Sequence, residues 1–166
     1  MSEPVERELF PTGLPSTSDA VAAALEQYKL ILGTTESLES RRQTLHTFFM
    51  SINSLFLAAI GLLGKESLDN SAVAVGVIVL ALAGGLLSES WRRQVISYGH
   101  VAASKWTVIN AFESSLPSSP FCAEWQALQR RDYRSFTTNE TAIPVAFVAL
   151  YGVGIVAGTL LLAGVG

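Results

Sequence analysis

Three long stretches without a formal charge constrain this chain more than any other feature. About 22 residues separate Arg42 from Lys65, about 19 separate Asp69 from Glu89, and about 26 follow Glu140. A helix needs roughly 20 predominantly apolar residues to cross a bilayer, so the spacing predicts three transmembrane helices at 45–64, 72–88 and 141–166. The second and third are dense in Val, Ile, Leu and Ala. The first carries Ser51, Asn53 and Ser54, which leaves a buried helix of a soluble domain as its alternative. Composition agrees with lipid: 49% of the 166 residues are hydrophobic and 15% charged, against about 25% charged in soluble domains.

The cations set an expected orientation. Arg7, Lys29, Arg41 and Arg42 precede the first span, and Arg92, Arg93, Lys105, Arg130, Arg131 and Arg134 lie between the second and third; only Lys65 falls in the short hairpin 65–71. Positive-inside bias then predicts a cytoplasmic N-terminus and middle segment, with the hairpin and C-terminus outside. Residues 1–17 contain three prolines and three glutamates and have no apolar core after a basic start. They read as a disordered leader rather than an export signal.

The flanks of the first two spans are helical in pattern. From Ser18, followed by Asp19, no proline interrupts 18–44, and Val21, Leu25, Tyr28 and Leu32 recur at helical spacing. Trp91, Val95, Tyr98, Ala102, Trp106 and Ile109 do the same in 89–116, where nothing halts the helix before Pro117. The expected fold class is therefore an all-α membrane protein with three transmembrane helices. Its first two helices extend into a long cytoplasmic antiparallel hairpin resembling a coiled coil.

Such a hairpin hides one stripe per helix. Trp91, Tyr98, Trp106, Phe112, Ile31 and Leu38 exceed that capacity, which points to self-association through the surplus. The pairs Ala81 with Gly85 and Gly154 with Gly158 stand four apart, as close helix packing in lipid requires, between subunits or within one. The connector 117–140 holds helix-breaking Pro117 and Pro120, a short helix over 122–131 carrying Trp125, and Thr137 with Glu140 at capping-box spacing. Candidate packing residues are Tyr28, Trp91, Tyr98, Trp106, Ile109, Gly154 and Gly158. Arg41, Arg42, Arg92 and Arg93 are candidate membrane-surface cations, read as anchors or as a ring of charge about an oligomer axis. Asn53 is either an interhelical tie or a pore-lining amide.

Several motifs resemble one known family in their order along the chain. They are Tyr28-Lys29-Leu30, Ser40-Arg41-Arg42-Gln43-Thr44 running into Phe48-Phe49, and Leu55; then Trp91-Arg92, Ser97-Tyr98, Ser104-Lys105-Trp106 with Val108-Ile109; and finally Leu116-Pro117, Pro120-Phe121 and Ala123-Glu124-Trp125. From about Tyr28 to Phe147 the chain resembles the RipA family of small octameric bacterial membrane proteins. Gly99, His100 and Val101 depart from its pattern. The resemblance implies a bacterial inner-membrane homo-oligomer of eight subunits, and supplies no reaction.

Chemistry-bearing motifs are sparse. His46 and His100 lie on different helices, Cys122 is the single cysteine, and neither a phosphate loop followed by lysine nor a His-Glu-x-x-His is present. Gly84-Gly85 sits in an apolar span, unsuited to phosphate. No catalytic, metal or cofactor residue is assigned. With a net charge of -3 and a pI near 5.3, no nucleic-acid partner is expected; the expected partners are membrane lipids and further copies of the chain. The reading is a structural or interaction protein without catalysis, and its alternative is an oligomeric channel or permeability effector.

Overall fold

The computed structural model describes residues 3–11, 13–64, 71–130 and 136–163, and every regular element among them is an α-helix. In order these are α1 (Glu3–Leu9), α2 (Ser18–Leu63), α3 (Ser71–Glu113), α4 (Pro120–Gln129) and α5 (Phe136–Leu162). The hairpin 65–70, the cations Arg131 and Arg134, and residues 164–166 lie outside the described residues. Three helices are long and apolar enough to cross a membrane: α2, α3, and α5 from Glu140. At about 1.5 Å per residue, the 46 residues of α2 and 43 of α3 run far beyond a hydrocarbon core of roughly 30 Å. Each therefore contributes one apolar segment and one amphipathic segment.

The chain divides into two compact units, one from 1–41 with 98–135 and the other from 42–97 with 136–166. In the first unit, Ala24, Tyr28, Ile109 and Phe112 form a buried cluster on α2 and α3. Tyr28 meets Glu113 and Thr34 meets Lys105, so the two segments run antiparallel. Thr17, one residue earlier than Ser18, caps α2: its Oγ1 accepts the Ala20 N–H at 3.3 Å.

Three expectations need correction here. The leader 1–17 is not wholly disordered, because α1 spans Glu3–Leu9 and both Leu9 and Phe10 pack on the cluster. Phe10 meets Phe112 edge-on, with ring centroids 5.5 Å apart; the surplus apolar surface of α3 repays the ordering of a polar segment. Gly13, at φ 96°, makes the left-handed turn between α1 and α2. The α3 helix ends at Glu113 rather than 116. Ser114 and Ser115 bond back to the carbonyls of Ala111 and Phe112, at 2.7 Å each, and compete with helix continuation. Finally, α5 already begins at Phe136, which puts Thr137 inside the helix rather than at its cap.

In the second unit three helices pack together. Phe49 stacks on Trp91 (5.7 Å, interplanar 5°), and Leu63 approaches Gly76. This pairs α2 with α3 antiparallel. Phe147 meets Trp91 and Gly154 meets Ala81, so α5 runs parallel to α2.

Candidate functional site

Asn53 is fully buried in the second unit, with its whole polar side chain inside an otherwise apolar helix cluster. Helical spacing turns it inward together with Phe49, one turn earlier, while Ser51 and Ser54 are turned outward and exposed. Its Nδ2 donates to the Phe49 carbonyl at 2.8 Å. Its Oδ1 accepts from Ser88 Oγ of α3 at 2.7 Å and from the Tyr151 hydroxyl of α5 at 3.0 Å. That hydroxyl also reaches the Asn53 carbonyl, 3.1 Å away. One amide thus joins all three helices. Ser88 and Tyr151 are nearly sealed from solvent as well, and Tyr151 fits because Gly84 offers a flat surface for its ring.

Glu113 organises the first unit. It is 1% exposed and accepts three hydrogen bonds: from the Tyr28 hydroxyl at 3.0 Å, the Phe121 N–H at 3.0 Å and the Cys122 N–H at 2.9 Å. The last two belong to the first turn of α4, whose N-cap Ser119 makes no side-chain capping bond. A carboxyl from another helix supplies the cap, favoured also by the α4 dipole. Burial, and then the Glu113 bond and charge, push the Tyr28 phenol up to about 12.

A family model for octameric membrane proteins matches residues 25–160. The chain belongs to the octameric membrane protein family (8xMP). It is accordingly a homo-oligomeric membrane protein, as the resemblance implies. No curated protein and no solved structure matches it.

The other predicted residues of this octameric-family chain fall in different settings. Trp91 is buried between Phe49, Phe147 and His46; Ile109 is wholly buried. Tyr98 is half-buried. Trp106 stays 41% exposed, with Phe121 tilted against it at 5.5 Å. Gly154 and Gly158 lie against Ala81 and Ile78 of the same chain, which accounts for both without a second copy. Much of the apparent aromatic surplus is likewise absorbed internally, since Trp91 and Phe112 are core residues.

Three of the four predicted membrane-surface cations are tied to carboxylates. Glu89 receives Arg92 through two bonds of 2.7 and 2.8 Å and Arg93 through one of 2.9 Å. Arg42 pairs with Glu140 at 3.4 Å, His46 lies 3.7 Å from the same carboxylate, and Arg41 is exposed. Among the described residues no group of three His, Cys, Asp or Glu is placed to hold a metal. Sequence reasoning found Asn53 but missed Glu113, Ser88 and Tyr151. A lone glutamate near a helix end carries no signal of the helix it will cap.

Proposed function

We propose that this chain is a structural or interaction subunit of a bacterial inner-membrane homo-oligomer, without catalytic activity. Its N-terminus and helical crown are cytoplasmic and its C-terminus external. The observation that carries the reading is the enclosure of Asn53: the most polar group of the apolar segments is committed to Ser88, Phe49 and Tyr151. An amide used this way holds helices together and is withdrawn from any water-filled path. The cation distribution of the sequence supports the orientation.

The alternative, an oligomeric channel, draws on the exposure of Ser51 and Ser54 on the outward face of α2. Ion flux through reconstituted liposomes separates the two. The structural reading expects vesicles as tight as protein-free controls, with wild-type chain and Asn53→Leu alike. Saturable conductance through the wild-type chain, reduced by Ser51→Leu with Ser54→Leu at unchanged oligomer mass, would establish the channel in its place.

A further inference from the structure

Two surfaces of the second unit stay exposed, a ridge on α2 and a groove between α3 and α5. On α2, Phe48, Leu55 and Leu62 stand seven residues apart and are 53%, 66% and 65% exposed. They form a ridge of one heptad phase. Beside it runs a furrow of exposed small residues, Ser51, Ser54, Ala58 and Gly61. A Cβ at Gly61 would meet nothing, and Ser51 satisfies its own hydroxyl on the Thr47 carbonyl at 2.8 Å. Between α3 and α5 lies an open groove of about 250 Å³. Small Ala81, Gly85 and Gly152 line it together with Leu82, Leu86 and the larger side chains of α5 such as Ile155. The two leucines are 49% and 74% exposed, and a Cβ at Gly152 would point into open space.

We propose that the Phe48–Leu55–Leu62 ridge of α2 packs into the α3/α5 groove of a second copy of this chain, with Leu82 and Leu86 of that copy lying in the α2 furrow. The proposal rests on the homo-oligomeric reading and adds the surface that makes the assembly. Three arguments favour a second copy over an acyl chain. Apolar area alone does not drive helix association in lipid, whereas small residues that let backbones approach closely do. On α3 exposed Val75 and Val79 continue the stripe of Leu82 and Leu86, whereas small Ala81, Gly85 and Gly152 line the groove beside it.

Closed rings supply the second argument. Each member of a ring presents two different faces to its neighbours, about 135° apart for eight members. The ridge and furrow on α2 and the groove between α3 and α5 belong to different helices of the cluster, as the two unlike faces of a ring member do.

Depth supplies the third. Copies inserted in one orientation are related by an axis along the membrane normal and share one depth. The Asn53, Ser88 and Tyr151 bonds mark a common level in α2, α3 and α5. From it Leu55 is two residues on, Gly85 three residues back on the antiparallel helix, and Gly152 one residue on. At about 1.5 Å per residue, all three lie within roughly 3 Å of one another in depth. At Leu55 ridge and groove therefore meet without any vertical shift.

Cysteine cross-linking tests this in the full-length chain with Cys122→Ser. Leu55→Cys combined with Gly152→Cys should, on oxidation in membranes, give a ladder of covalent species up to the octamer, and neither cysteine alone should give even a covalent dimer. Native mass spectrometry without oxidant reports assembly separately: an octameric mass with no ladder overturns the proposed surface. A covalent dimer from Leu55→Cys alone overturns it too, by placing α2 against α2. A monomeric mass for the uncross-linked parent chain would instead remove the homo-oligomeric reading itself. As a second variant, Gly152→Leu fills the groove through a Cβ aimed at open space, and should lower the native mass while leaving helicity unchanged. An octamer of unchanged mass and thermal stability would also refute the contact.

Discussion

Tyr28 and Glu113 show how much one buried hydrogen bond can be asked to carry. With the phenol raised from 10.0 to about 12, its contribution to stability is complete below pH 10 and is lost as the pH rises through 12, because the unfolded chain loses that proton first. Thermal unfolding in detergent should therefore show a drop between pH 10 and 12 that Tyr28→Phe lacks. At neutral pH the same variant, short of one donor to Glu113, should lose about 1 kcal/mol. Asn53 is more demanding. Asn53→Leu removes the acceptor of the Ser88 hydroxyl and leaves Tyr151 only the Asn53 carbonyl, and a loss of roughly 0.6–1.7 kcal/mol is expected, the range for hydrogen bonds between membrane helices. Equal melting temperatures for variant and wild type would show that the tie contributes little.

At the level of elements, the short helix α4 has none of its residues buried and no side-chain bond from its own N-cap. Its position depends on the Glu113 carboxyl. Glu113→Ala should cost about 1–2 kcal/mol, the usual scale for a lost cap. Hydrogen exchange checks this directly, with the Phe121 and Cys122 amides exchanging about tenfold faster or more, since about 1.4 kcal/mol is a factor of ten. The long helices place different demands on their glycines. A Cβ at Gly84 would collide with the Tyr151 ring, whereas one at Gly33 would meet nothing. Gly84→Ala should displace Tyr151 from Asn53 and destabilise by about 1–3 kcal/mol. Gly33→Ala, in an exposed helix interior, should stabilise by roughly 0.5–1 kcal/mol; opposite shifts in melting temperature are the check.

For the whole molecule, the proposed topology can be tested independently of assembly. Ten of the eleven Lys and Arg residues fall in two segments that three spans place on one side. A reporter fused after Gly166 should be active only if it works outside the cytoplasm; cytoplasmic activity from a stable full-length fusion would remove the proposed orientation. Trp106 tests the other unit. Because it remains partly exposed beside Phe121, Trp106→Ala should cost less than the roughly 3–5 kcal/mol of a fully buried aromatic. A marked loss of octamer mass on that substitution would identify an intersubunit role for its open face.

The number of apolar segments and the helical character of their flanks could be read from residue order alone, because bilayer thickness and helical rise translate directly into chain length and spacing. Asn53 stood out for the same reason: an amide in an apolar run must be satisfied somewhere. Which groups satisfy it could not be read, since Ser88 and Tyr151 lie 35 and 98 residues away in sequence and become neighbours only through helix packing. The capping of α4 by Glu113, the ordering of α1 against Phe112, and the use of Gly154 and Gly158 within one chain have that same origin. Local pattern states that a group must be buried or that a backbone can approach closely; the tertiary structure chooses the partner, because partnership depends on distances in space that sequence spacing does not encode.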